Sequence, residues 1–234
     1  MKTMLCVPGF GDDSTMFAPL IASKLSLEVE IVPLNLPGFG APRPNGVPAT
    51  LNLLAKVIDE KAKAIGSQIV LAHSVASISA SLAAQRPGST ITTVLSLEGN
   101  LTAEDAYFSG TAAGYDTPMA FHRAFIRRLH KLAKDNPAID RYRSRVECAD
   151  PIALWELGRD AHRYSQNVTP GDVLARADFP VYLYNPENVP RASQRWLQRS
   201  SIPRIKLAGA SHWKSADQPS LLATKLIKAL ALSK

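Results

Sequence analysis

Ile69-Val70-Leu71-Ala72-His73-Ser74-Val75-Ala76-Ser77 is the stretch that decides the fold. An apolar run ends in Ala-His-Ser-Val-Ala and passes into a segment rich in Ala, Ser and Leu with a helical pattern over 76–86. A strand that turns sharply into a helix crowds its own backbone, so the positions two residues either side of the turn must be small. Ala72 and Ala76 meet that requirement. The residue at the apex is lifted above the sheet with its side chain free to attack a bound molecule, which makes Ser74 a candidate nucleophile.

Outward from this turn, short apolar runs alternate with longer helical patterns. The runs 3–7, 29–34, 68–73, 92–97, 181–184 and 204–207 are rich in Val, Ile and Leu and bounded by Pro or Gly, as buried parallel strands are. Helical patterns fall at 16–24, 51–64, 76–86, 191–198 and 219–232. The alternation predicts βαβ units with right-handed crossovers, hence an α/β fold with a mostly parallel sheet covered by helices on both faces. It stops between 101 and 179, where helical patterns occupy 117–134 and 151–164, the second opened by Asp150 as cap and Pro151 in the first turn. Such an insertion has its natural place over the carboxyl ends of the strands, where open α/β sheets bind ligands. The expected organisation is a core of 1–100 and 180–234 with a helical cap over 101–179.

The 234 residues, 46% hydrophobic and 20% charged, suffice for one substantial core. The net charge of +7 gathers at Arg123, Arg127, Arg128, Lys131, Lys134, Arg141, Arg143 and Arg145. Few aromatics interleave with these cations, which argues for a solvated helix face and against a nucleic-acid surface. Cys6 and Cys148 read as free thiols suited to a reducing cytoplasm. No Cys/His cluster has metal-ligand spacing, so no metal is expected. The opening, broken by Pro8, reads as a strand and not as a signal peptide. No apolar run approaches the roughly 20 residues that cross a bilayer, so no membrane association is expected.

A serine needs a base within hydrogen-bond reach. Among His73, His122, His130, His162 and His212, only His212 follows the last strand, through Ala208-Gly209-Ala210-Ser211, on a loop able to reach the sheet edge. His73 adjoins Ser74 and is expected to point away from it as a structural residue. His122 and His130 belong to the insertion helix.

The order of Pro8-Gly9-Phe10-Gly11, Asn35-Leu36-Pro37-Gly38-Phe39-Gly40, the Ser74 turn, a helical insertion and Gly209-Ala210-Ser211-His212 resembles the α/β-hydrolase fold family, within it the serine hydrolases of carboxylesterase type. The resemblance covers essentially the whole chain. Ala72 and Ala76 stand where Gly is usual, and Pro8 where His is usual. The chain begins at what would be the family's third strand, which implies a six-stranded core. The resemblance implies an oxyanion hole formed by the N–H groups of Phe10 and Val75. The usual position of the acid falls on Asn188, an amide, which leaves two candidates. Glu98 ends the strand 92–97, where a charge is costly without a partner, and some haloalkane dehalogenases carry a Glu at that strand end. Glu187, beside Asn188, is the alternative. Phe121, Phe125, Leu129, Trp155 and Leu157 of the insertion are expected to shape an acyl pocket. The implied activity is cofactor-independent hydrolysis of a small-molecule carboxylic ester in the cytoplasm. Alternatives on the same scaffold are a thioesterase, a lyase using the same three residues, or a ligand-binding module with little turnover.

Overall fold

Six strands form one sheet in the computed structural model, which describes residues 1–134 and 136–232. They are β1 (Lys2–Val7), β2 (Val29–Pro33), β3 (Ile69–His73), β4 (Thr93–Leu97), β5 (Phe179–Tyr184) and β6 (Arg204–Lys206). The spatial order is β2-β1-β3-β4-β5-β6, with every pairing parallel. β3 and β4 are buried at every position, which is why they read as continuous apolar runs without alternation.

The strand order reverses between β1 and β3. Right-handed crossovers leaving this point in opposite directions carry the following helices to opposite faces and open a crevice at the carboxyl ends of the two strands. Register keeps those ends level: Val7 lies beside Ala72, and His73 beside Leu97. The helices α2 (Leu51–Ala64), α3 (Ala76–Ala84) and α7 (Pro170–Leu174) form one layer, and α1 (Ala18–Ile21), α9 (Lys214–Asp217) and α10 (Pro219–Leu232) another. α2 starts where Thr50 accepts a hydrogen bond from the Leu53 N–H, and it buries Leu51, Leu54, Ala55, Ile58 and Ala62 along one face. α8 (Arg191–Arg199) lies between β5 and β6 in sequence.

Two local expectations need correction. The helix expected over 16–24 is instead a 3-10 turn (Ser14–Phe17), the single turn of α1 and a second 3-10 turn (Lys24–Leu27). Ser23 interrupts it, its hydroxyl donating to the Leu20 carbonyl and accepting from the Leu25 N–H. Between β4 and β5 stand α4 (Pro118–Ala133), α5 (Pro137–Cys148) and α6 (Pro151–Asn167), together with α7. α5 was not expected: only Ala138, Tyr142 and Val146 of its residues are buried, a stripe hidden among five charged residues.

The loop after β2 explains its glycines by docking. Gly38 (φ 83°) and Gly40 (φ 80°) adopt left-handed backbone, and a Cβ on Gly38 would lie 2.3 Å from Ala153 Cβ. The Gly38 carbonyl accepts from the Asp150 N–H at 2.9 Å, just before α6 begins. The helices of the insertion are thereby fastened beside the crevice.

Candidate active site

Two adjacent strands end in strained residues at the same edge. Ser74 (φ 55°), after β3, and Glu98 (φ 47°), after β4, are the two non-glycine residues with left-handed backbone among the described residues. Such a conformation costs about 1–3 kcal/mol and persists where the surroundings over-determine it, commonly at functional sites. Here the Ser74 N–H donates to the Leu97 carbonyl at 3.0 Å, and the Glu98 N–H to the Leu183 carbonyl at 2.8 Å. Ala72 and Ala76 are fully buried against the turn. Gly9 is required next to it, because a Cβ there would lie 2.8 Å from His73 Nδ1 and 3.1 Å from Ser74 Cβ.

A small cavity of about 20 Å³, room for about one water molecule, opens beside Ser74. Gly9, Phe10 and Asp12 line it from the loop after β1, and His73 and Ser74 from the turn after β3. Asp105, Tyr107, Phe108 and Ser109 come from the stretch after β4, Tyr142 from α5, and His212 and Trp213 from the loop after β6. Ser74 and His212, far apart in sequence, thus share one cavity wall. His212 Nδ1 is 2.9 Å from Glu98 Oε2. With that nitrogen donating to the carboxylate, Nε2 is the one left to accept a proton.

Glu98 is buried in a cradle of donors. The Asn185 N–H donates to Oε1 at 2.7 Å, Lys214 Nζ donates to the same oxygen, and Asn188 Nδ2 lies 3.2 Å from each oxygen. Burial alone would raise the carboxyl's pKa. The hydrogen bond from His212 and the positive charges of His212 and Lys214 outweigh it and hold the group below its ordinary range. Asn188, the amide at the family's usual acid position, is therefore a donor to Glu98. Glu187 is exposed, and its carboxylate has no hydrogen bond or ion pair among the described residues.

His73 packs beneath the base. Its Nε2 donates to the His212 carbonyl at 2.9 Å and its ring lies 4.6 Å from the His212 ring. Burial, with the neighbouring His212, pushes its pKa well below the ordinary value, so it stands neutral under the loop that carries His212. The N–H groups of Phe10 and Val75 have no hydrogen-bond partner among the described residues. Phe10 is held from behind, its carbonyl accepting from the Tyr142 hydroxyl at 2.6 Å.

The five residues expected to shape an acyl pocket do not line this cavity. Phe121 and Phe125 pack one layer behind, their rings 6.2 and 5.7 Å from that of Phe10. Leu129 and Leu157 are core residues. Trp155 faces another groove, where its indole donates to the Tyr115 carbonyl at 2.8 Å and Arg159 lies over its ring. The wall comes instead from 105–109, which leave β4 directly and so reach the sheet edge before α4 can. Asp12, its partner Arg145, Tyr107, Phe108, Tyr142, Trp213 and Lys214 carry no sequence motif. Adjacency to His212 was the available signal for the last two. Among the described residues no group of His, Cys, Asp and Glu could hold a metal ion, and no helix is long and apolar enough to cross a membrane.

No curated protein matches the sequence. Solved structures match the fold closely. An esterase from Thermogutta terrifontis superposes with a TM-score of 0.75 at 16% identity, covering 99% of this chain and 90% of the other. A hydrolase from Oleispira antarctica gives 0.75 at 14%, covering 99% and 91%. E-2-(acetamidomethylene)succinate hydrolase gives 0.74 at 17%, covering 98% and 91%. The sequence profile of the alpha/beta hydrolase family matches residues 4–224, nearly the whole of the sheet, insertion and site loops just described, and the chain belongs to that family.

Proposed function

We propose that the protein is a serine hydrolase that cleaves a small carboxylic ester through an acyl-enzyme. The observation that carries this reading is the pairing of the strained Ser74 turn with His212 across one cavity, His212 being hydrogen-bonded to buried Glu98. Ser74 Oγ attacks the ester carbonyl while His212 Nε2 takes its proton. The proton then passes to the departing alcohol. Water repeats the sequence on the acyl-enzyme and releases the acid. Glu98 stabilises the transient imidazolium. The free N–H groups of Phe10 and Val75 suit the developing oxyanion, where fixed donors act without reorganising. The helices of 101–179 act as a cap on the core of 1–100 and 180–234. The small cavity favours a short acyl group. Two free cysteines, one exposed, fit a cytoplasmic setting.

Labelling with a fluorophosphonate tests the reading. The wild-type protein should gain one phosphonyl group on Ser74 and hydrolyse p-nitrophenyl acetate. Ser74→Ala should lose both while keeping its circular dichroism spectrum. Unchanged turnover in Ser74→Ala would reject the mechanism.

A further inference from the structure

The mechanism leaves the buried charge beside Glu98 unused. Lys214 is fully buried, two residues beyond His212 at the start of α9. Its ammonium donates to Glu98 Oε1 and to the Ser211 carbonyl at 2.7 Å. A lysine taken wholly out of water requires a compensating anion, and Glu98 is the one within reach.

The donors divide the carboxylate unequally. Oε1 receives Lys214 and the Asn185 N–H, and Oε2 receives His212. Asn188 bridges both oxygens. With Oε1 occupied, Oε2 is the oxygen presented to the imidazole. The bond to the Ser211 carbonyl also ties the backbone next to His212 to the same ammonium. Geometry and charge act together here. An ammonium on the other side of the same carboxylate opposes, by charge repulsion, the placing of a second positive charge on the imidazole.

We infer that Lys214 is a positioning residue that acts through Glu98, directing one carboxylate oxygen to His212 and keeping the imidazole in its neutral, proton-accepting form to lower pH. This rests on the hydrolase reading above. The other groups facing His212 are the Tyr107 hydroxyl, 3.4 Å from Nδ1, the ring of His73, and Asp105. Asp217 accepts from the Ser211 N–H, and the Asp12–Arg145 pair lies across the cavity. All of them remain in the variants compared below.

The test measures the rate of fluorophosphonate labelling against pH, which needs no knowledge of the natural substrate. Lys214→Met keeps the apolar stem and removes the charge. Its acid limb should move up by about one pH unit, and the plateau rate should fall about tenfold. Lys214→Gln keeps a donor without charge and should show the same displacement with a smaller loss of rate, so it serves if Lys214→Met does not fold. Lys214→Arg, which keeps the charge, should leave the limb near its wild-type position. In a Glu98→Gln background, Lys214→Met should no longer lower the plateau rate, because the carboxylate that Lys214 orients is gone. Folded Lys214→Met and Lys214→Gln proteins with an unmoved limb would overturn the inference, as would an equal loss of plateau rate in the Glu98→Gln background. A wild-type protein that is not labelled at Ser74 at any pH would instead overturn the hydrolase reading, and this inference with it.

Discussion

Glu98 holds its carboxylate where the left-handed backbone at the end of β4 aims it at the neighbouring loops. Glu98→Gln leaves the shape but supports the wrong tautomer of His212. In the serine-protease template that change costs about 10⁴-fold in kcat. A loss of comparable size in ester turnover, with KM little changed, is expected here. Glu187→Gln should stay within about twofold of wild type, since that side chain is exposed and unbonded. Steady-state kinetics on the two variants separates the candidates. Glu98 also predicts how stability follows pH. Its folded-state pKa lies below the ordinary range, so it stabilises the fold above the ordinary value, and that contribution is lost as pH falls through the folded-state value. Thermal unfolding followed from neutral to acid pH should therefore show a steeper decline for wild type than for Glu98→Gln. Ser74, His212 and Glu98, the candidates brought together at one edge, could be singled out in the sequence because each stands at the end of a strand or loop that apolar runs outline. Lys214 and Asn188 were not legible as donors to Glu98, because their role depends on a loop conformation that no periodicity records.

At the scale of elements, the stretch 103–114 between β4 and α4 is the part that closes the cavity. Phe108 packs its ring against Phe125, Tyr142 and Trp213, and Arg128 of α4 lies over it while donating to the Tyr107 carbonyl at 3.1 Å. A longer acyl chain therefore needs this stretch to move or to be trimmed. Phe108→Ala should raise the ratio of kcat/KM for p-nitrophenyl octanoate over acetate about tenfold or more, measured on an ester series. Gly38→Ala tests the other fastening. The left-handed backbone and the close approach of Ala153 leave no room for a methyl group. A loss of about 2 kcal/mol or more is expected from the combined backbone and steric conflict, seen as a lowered Tm. The strands and the longest helices were readable because burial on both sheet faces, or a full amphipathic stripe, writes itself into composition. α5 escaped because three buried side chains among five charged ones leave too faint a stripe. The acyl-pocket assignment missed for a related reason. Apolar spacing marks α4 as packed against something, and here that something is Phe10, not the cavity.

For the whole molecule, the reversal of strand order between β1 and β3 fixes where the site must be. It also means that the cavity draws on residues 9–12, 73–74, 105–109, 142 and 212–213, which span nearly the entire sequence. Contacts between such distant segments close large loops and form late in folding. On refolding from denaturant, helical signal in the far ultraviolet should return before the proposed esterase activity. The near-ultraviolet signal of Trp213, whose ring lies 4.7 Å from Tyr142 and 5.2 Å from His212, should return together with activity. Stopped-flow circular dichroism paired with double-jump activity assays checks this order. The same span makes the site a sentinel of the intact chain: a nick in any one of those segments would part residues that share one cavity wall, so turnover is expected to report damage that bulk helicity conceals.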